Sequence, residues 1–471
     1  MLKRIVSESP ASILSARSSG RSSGSRRVTA VSTAALCLLT VAACGRSGPT
    51  GTPSQKASSS SSASASPAGT FGSLQKICGP GSGKGGSGRG ISDGSVRIGV
   101  INDAGNSISP ALGKEFVEVA TGFSKWCNAA GGINGRKIVI ENLDAKIFNI
   151  AAVTIQGCQG DFMLVGGGNP LDAGAVKPRL NCKLGQIPAY TVSPQAGAAG
   201  LQVNPAVNPI TEYQIGVLRL LADAYPASKE GLAVGASNIQ SLAPQGLRAA
   251  DAWKSLGYKL TTLQPRPLTV TNYRPYVEEM KTNHAMADYE STSQDLVQIV
   301  TAMNDVGYKP AFLGLNVALY GPSSVAAAKA VQVPPSYVGL NHIPWELSGQ
   351  YPVVQEAKAM LEAAVSNPTY DDIGMQAFNA WTLWASSATA CGDNLTQDCV
   401  LQKAGAHSDW TAGGLFSPRS TDPATQKATN CVAIVRLTGT GWVYDRDVTK
   451  PNSSIYNCDP RNIATVKSYQ S

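Results

Sequence analysis

The sequence predicts an α/β fold made of two sheet-centred halves, each a mostly parallel sheet covered on both faces by helices. Three observations predict it. From Val96 onward short apolar strands alternate with helix-period segments, the scheme runs twice along the chain, and 471 residues with 43% hydrophobic content suffice for two or three domains. Charge limits the partners. Of the formal net charge of +8, Met1–Ala43 carries +5 (six bases against Glu8), which leaves +3 for Cys44–Ser471. No Lys/Arg cluster occurs beyond the N-terminal segment, so no nucleic-acid partner is expected.

The first element reads as an export signal. Its basic stretch ends at Arg26-Arg27, and Val28–Val41 is an apolar run of 14 residues, short of the roughly 20 that cross hydrocarbon. Val41-Ala42-Ala43-Cys44-Gly45 follows at once and resembles a bacterial lipobox, in which the Cys thiol takes a diacylglycerol thioether. The expectation is a signal peptide over 1–43 and a lipidated Cys44 that holds the protein at the outer face of the cytoplasmic membrane without a spanning helix. Residues 44–94 read as a flexible Ser/Gly-rich tether, because Gly45–Thr70 has almost no large apolar side chains to offset the entropy of ordering. Gly79–Gly85 has the wrong spacing for a phosphate-binding loop and no strand before it, so it joins the tether.

Cysteine usage fits an exported chain. With Cys37 in the signal and Cys44 as anchor, eight remain, an even number that suggests four disulfides. Eight cysteines allow 105 connectivities and the sequence does not choose among them. The economical set pairs neighbours: Cys78–Cys127, Cys158–Cys182, Cys391–Cys399 and Cys431–Cys458. There is no CxxC pair and His284, His342 and His407 are scattered, so no metal or other cofactor is expected.

The elements follow in order. Val96–Ile101 is an apolar strand, and Glu115–Ala130 carries Phe116, Val119, Ala120, Phe123, Trp126 and Cys127 at helical spacing with Gly131-Gly132 as terminator. Asn134-Gly135 turns the chain into strand Lys137–Leu143, and the first half closes with helix Ile150–Cys158, strand Phe162–Val165, helix Ala173–Leu180 and strand Ile187–Thr191. Asn204–Pro209, stiffened by two prolines, reads as a hinge strand. The second half runs helix Glu212–Ala224, strand Gly231–Ala236, helix Pro244–Leu256, strand Lys259–Gln264, helix Tyr273–Thr282, strand Ala285–Tyr289, helix Asp295–Val306 and strand Ala311–Leu315. Helix Gln376–Ala390 is apolar, and its Trp381 and Trp384 read as core residues, while Tyr320 and Trp345 read as core or rim residues rather than stacking platforms.

The stretch Asn128-Ala129-Ala130-Gly131-Gly132-Ile133-Asn134-Gly135-Arg136-Lys137 resembles the NxxGGIxGxxI segment of type I periplasmic solute-binding proteins of the leucine/isoleucine/valine-binding branch. Ile187–Ala196, Asn272–Lys281, Gly307–Pro310 with Phe312-Leu313-Gly314, and Thr411–Val443 match further family landmarks in order, so the resemblance covers roughly Ser95 to Tyr444. It implies two Rossmann-like lobes joined by a three-crossover hinge, lobe 1 over 95–207 and 340–403 and lobe 2 over 208–339 and 404–465. It also implies a monomer that traps a small molecule between the lobes and delivers it to the permease of an ABC importer. A sensor or regulator that uses the same trap is the alternative. Enzyme chemistry is not expected, since no GxSxG occurs and the His residues sit without a nucleophile pattern.

Site residues follow from the resemblance. The loops that hold a ligand carboxylate in the family correspond to Gly166–Pro170 and Thr191–Gln195; the first lacks the usual hydroxyl and offers Asn169 and backbone amides. Ser193 and Gln195 are candidates in the second, or close a turn. The family acid that meets a ligand ammonium aligns with Asn316, and a neutral amide does not neutralise a buried charge. Glu290 and Asp295 are the substitutes, one also readable as a solvated strand-end acid and the other as a helix cap. Leu112 and Thr292 stand where the family often has Tyr, and Gln240 and Ser241 lie where a cleft loop is expected. The ligand-binding set is therefore Asn169, Ser193, Gln195, Gln240, Ser241, Glu290, Thr292 and Asn316, and the ligand an amino acid, an amide or another small solute.

Overall fold

Strand Ser95–Asn102 buries Val96, Ile98 and Val100 on one face and Ile101 on the other, and therefore needs cover on both sides. In a computed structural model, which describes residues 68–469 apart from 87, 109–110, 268, 292–294 and 426, it has that cover. The signal segment, Cys44 and Thr292 lie outside the described residues. Ser95–Asn102 pairs in parallel with Lys137–Asp144 on one side and Met163–Val165 on the other, and Gly185–Ile187 extends the sheet. Helices Lys114–Ala129 and Asp372–Ala390 pack on one face; Ile150–Gly160 and Ala173–Asn181 cover the other. Gly131 and Gly132, both at positive φ, terminate the first helix as the sequence indicates.

The second sheet runs in the order Gly441–Tyr444, Cys431–Thr438, Ser336–Leu340, Leu313–Leu315, Ala287–Glu290, Leu232–Ser237, Leu260–Arg266. The last five are parallel to one another, and the two strands from the C-terminal part are antiparallel. Trp253 anchors one face, and helices Arg274–Thr282 and Leu296–Val306 cover the other. Asp295 caps the latter helix by accepting from the Gln298 amide at 3.0 Å. All four disulfides pair sequence neighbours, and Cys431 and Cys458 are register partners on adjacent strands.

Three crossing segments meet between the sheets. Ser417 donates to Asn341 at 3.0 Å, Ile343 to Leu415 at 2.8 Å, and the Arg419 guanidinium to the Pro205 carbonyl at 3.1 Å. The lobes also touch beside this hinge: the Tyr320 carbonyl accepts from the Asp372 amide at 3.2 Å, and its hydroxyl donates to Glu346 at 2.6 Å while accepting from the Trp345 amide at 2.8 Å. Tyr320, Trp345, Trp381 and Trp384 are all buried.

Several sequence expectations need correction. The tether does not extend to residue 94: Phe71 is 1% exposed and stacked on Phe378, the Gly72 amide donates to Glu356, and Cys78 is bonded to Cys127. Nor is Gly79–Gly85 loose, since Arg136 donates to the carbonyls of Lys84 and Gly85. Glu212–Gln214 begins not a helix but a strand paired with Ile463–Thr465, and the expected strand Ile187–Thr191 ends at Ile187, where Pro188 removes a ladder donor.

Candidate functional site

In doubly wound folds ligands collect outside the carboxyl ends of the strands. In lobe 1 those ends are closed by carboxylates that serve the protein's own backbone. Asp103, just beyond Asn102, accepts from the Ile147 amide at 2.6 Å and from Asn169 Nδ2 at 2.8 and 3.0 Å. The two residues hold Ile147 at φ 69°, a conformation that a β-branched residue adopts only under constraint. Burial pushes the Asp103 carboxyl up to about 6. Asn169, placed where expected, is fully employed: Nδ2 also reaches the Ile147 carbonyl at 3.1 Å and Oδ1 accepts from the Leu171 amide at 2.7 Å.

Asp172 makes the second closure. Its two carboxylate oxygens accept from the Val192 amide at 2.6 Å and the Ser193 amide at 3.0 Å, and the Ser193 hydroxyl joins them. Burial raises its pKa to about 6 in spite of these donors. Ser193 Oγ in turn accepts from the Ala196 amide at 3.1 Å and caps the short helix Pro194–Gly197. Gln195 is exposed on that helix. Behind the loops a cavity of about 20 Å³, lined by Asn169, Asp172, Tyr190 and Gln202 among others, has room for little more than a water molecule.

The corresponding edge of lobe 2 carries a buried ion pair. Arg266 ends one strand and Glu290 ends its second neighbour, with Gly235 between them; Nη1 lies 2.7 and 2.8 Å from the two Glu290 oxygens. The side chains are 0% and 1% exposed. A side chain at Gly235 would run into both partners. The guanidinium also donates to Gln264 at 2.6 Å and lies over the rings of Tyr273 and Tyr276 at 5.7 and 5.3 Å. Asp288, on the same face, is pushed well up by burial and by the Glu290 charge.

Glu290 is thus neither a solvated strand-end acid nor an uncommitted carboxylate. Asn316 sits after strand Leu313–Leu315 as expected, yet it donates to the Ser291 carbonyl at 2.9 Å and accepts from the Ala318 amide at 2.9 Å. Gln240 is exposed and Ser241 half-buried in the loop after Leu232–Ser237. Of the expected residues, Asn169, Glu290 and Asn316 lie at or just beyond strand ends and Ser193 caps a short helix, and all four bond the protein itself. Asp103, Asp172 and Arg266 were not among the candidates. Polar Gln264 and Arg266 at alternate positions of a strand, matched by Asp288 and Glu290, were the available signal for a polar layer.

Among the described residues no group of His, Cys, Asp and Glu could hold a metal ion, and no helix is long and apolar enough to cross a membrane. A search of curated proteins finds no match. The fold is shared with solved structures. The fatty acid ABC transporter substrate-binding protein from Thermomonospora curvata is similar at 15% identity and a TM-score of 0.61 over 76% of this chain and 93% of that one. The leucine-binding protein LivK from Thermotoga maritima matches at 11% identity and 0.59 over 74% and 97%. The branched-chain amino acid transporter substrate-binding protein LivJ from Streptococcus pneumoniae, solved with isoleucine, matches at 15% identity and 0.60 over 74% and 100%. The periplasmic binding protein family model matches residues 95–441, and with two parallel-rich sheets joined by three crossings the chain belongs to the periplasmic binding proteins, type I.

Proposed function

We propose that this protein is an extracytoplasmic, lipid-anchored solute-binding protein that captures a small molecule between its lobes and delivers it to the permease of an ABC importer. The family match over residues 95–441 carries this reading. Two sheets joined by three crossing segments support a trap in which the ligand favours the closed state by its differential affinity for that state. The named structures include a fatty acid ABC transporter substrate-binding protein and a branched-chain amino acid transporter substrate-binding protein that holds isoleucine, which supports a small-molecule cargo.

The anchor rests on Val41–Gly45, an apolar run followed at once by small residues and Cys44. The two acyl chains of a diacylglycerol thioether on Cys44 give stable attachment where one chain alone does not. Two measurements test the proposal. A thermal-shift screen of solutes should find one that stabilises the protein; at 100 times its dissociation constant the gain is about 2.7 kcal/mol. Cells fed labelled fatty acid should label the wild type and not Cys44→Ala, which should leave the membrane fraction. A Cys44→Ala protein that stays labelled and membrane-bound refutes the anchor.

A further inference from the structure

His342 lies on the second crossing segment with its side chain 0% exposed, and both of its ring nitrogens face acceptors. Nδ1 is 3.0 Å from the Ile343 carbonyl oxygen, and Nε2 is 3.2 Å from Asp372 Oδ1, which also accepts from Gln376 Nε2 at 3.2 Å. A carbonyl oxygen only accepts, so Nδ1 carries hydrogen, and a neutral ring then presents a bare lone pair at Nε2. The contact with Asp372 therefore needs one further proton, held on Nε2 opposite an ionised carboxylate or on Asp372 opposite a neutral ring. Without it, two lone pairs face each other away from water, which is unfavourable.

This contact sits where the lobes meet. The Asp372 amide donates to the Tyr320 carbonyl of lobe 2, the Tyr320 ring packs 5.8 Å from the His342 ring, and a Cβ at Gly321 would come within 3.0 Å of Asp371 Cβ. His342 also pairs through its backbone with Phe416 on the third crossing segment. Charged groups face the pair from each of these elements. Asp371 adjoins Asp372, with Glu115 against it from helix Lys114–Ala129; Glu346, which accepts from the Tyr320 hydroxyl, lies within electrostatic reach of His342; Tyr190 and Arg419 lie within reach of Asp372, and Arg419 sits over the Phe416 ring at 5.2 Å. Arg419 works against a charged ring and Glu346 for it, and Asp372 is the carboxylate in direct contact. Resting on the hinged trap of the solute-binding reading, we propose that the His342–Asp372 pair is a proton-operated latch, which holds the lobe arrangement seen here while a proton bridges the pair and releases it when that proton leaves. The proton passes to water and the charge of the pair falls from zero to minus one. Asp372 then moves off the ring, and the amide that binds Tyr320 moves with it.

Two measurements on the full-length protein without added solute test the latch from about pH 5 to about 9, a range that spans histidine titration. Nuclear magnetic resonance of nitrogen-labelled histidine rings reads the protons on His342, and small-angle X-ray scattering of the same samples reads the lobe arrangement. The expected result is hydrogen on both His342 nitrogens at the acid end, loss of one in a single step, and a shift in radius of gyration with the same midpoint. Asp372→Asn should abolish that shift, because a carboxamide offers a donor to a neutral ring and an acceptor to a charged one and so keeps the contact at every pH. Asp103, Asp161 and Asp172, whose carboxyls burial pushes up to about 6, are unchanged in the variant, so a shift caused by them would persist. A His342 ring that keeps the same protons throughout overturns the latch, as does a radius of gyration that stays constant while the ring loses its proton, or an Asp372→Asn protein that shifts like the wild type. Each of these leaves the solute-binding reading standing, since no solute is present; that reading fails if the solute screen finds no ligand. If Asp372→Asn does not fold, judged by circular dichroism, His342→Gln serves: its amide donor does not titrate, so a constant radius of gyration is expected and a wild-type shift refutes the latch.

Discussion

Substituting Glu290 by Gln removes the charge that neutralises Arg266 while keeping the shape of the side chain. The guanidinium stays buried, with Gln264 and the one amide oxygen left at position 290 as acceptors and the faces of Tyr273 and Tyr276 beside it, but without a counter-charge from position 290. Breaking a buried pair on one side costs about 3–5 kcal/mol, against about 0–1 kcal/mol for an exposed pair. Asp288 works toward the lower end: its carboxyl is held up by burial and by the Glu290 charge, so loss of that charge eases its ionisation beside Arg266. The expected loss is about 3 kcal/mol, read as a fall in the urea midpoint at constant slope. The double variant Arg266→Met with Glu290→Met should lose clearly less, since no orphan charge remains. A Glu290→Gln protein within about 0.5 kcal/mol of wild type would refute the assignment, because that is the range of an ordinary surface substitution.

Two further outcomes follow. Phe71→Ala should destabilise by about 3 kcal/mol, the lower end for a fully buried Phe, as measured by urea unfolding, whereas a substitution in a loose tether would change nothing measurable. Asp103 has a folded pKa raised to about 6, so between about pH 4 and 6 the folded state holds more proton than the unfolded one, and its contribution to stability is lost as pH rises through that window. Asp161 and Asp172 act with the same sign. Asp103→Asn should flatten the dependence of unfolding free energy on pH between 4.5 and 6.5; a slope equal to that of wild type contradicts the assignment.

Much of the fold is legible in the sequence wherever the signal is local. Helix Lys114–Ala129 follows from the spacing of Phe116, Val119, Phe123 and Cys127, and its end from the two glycines. The N-terminal arm is not legible, because its order comes from partners far along the chain: Phe71 alone offers little, and Phe378, Glu356 and Cys127 hold the segment in place. The site divides in the same way. Family landmarks bring Asn169, Ser193 and Asn316 to the strand ends, but position does not reveal that each side chain turns back to bond its own backbone. Asp172 reads locally as the residue before a helix, yet its carboxylate reaches amides about 20 residues on. Glu290 reads as a strand-end acid until the register places it across Gly235 from Arg266.

The trap itself is tested most directly by small-angle X-ray scattering on the protein with and without a saturating amount of a solute that stabilises it in the thermal screen. Closure of the lobes predicts a smaller radius of gyration and a shorter maximum dimension with the solute present. A scattering curve that does not change while the solute is bound contradicts the account.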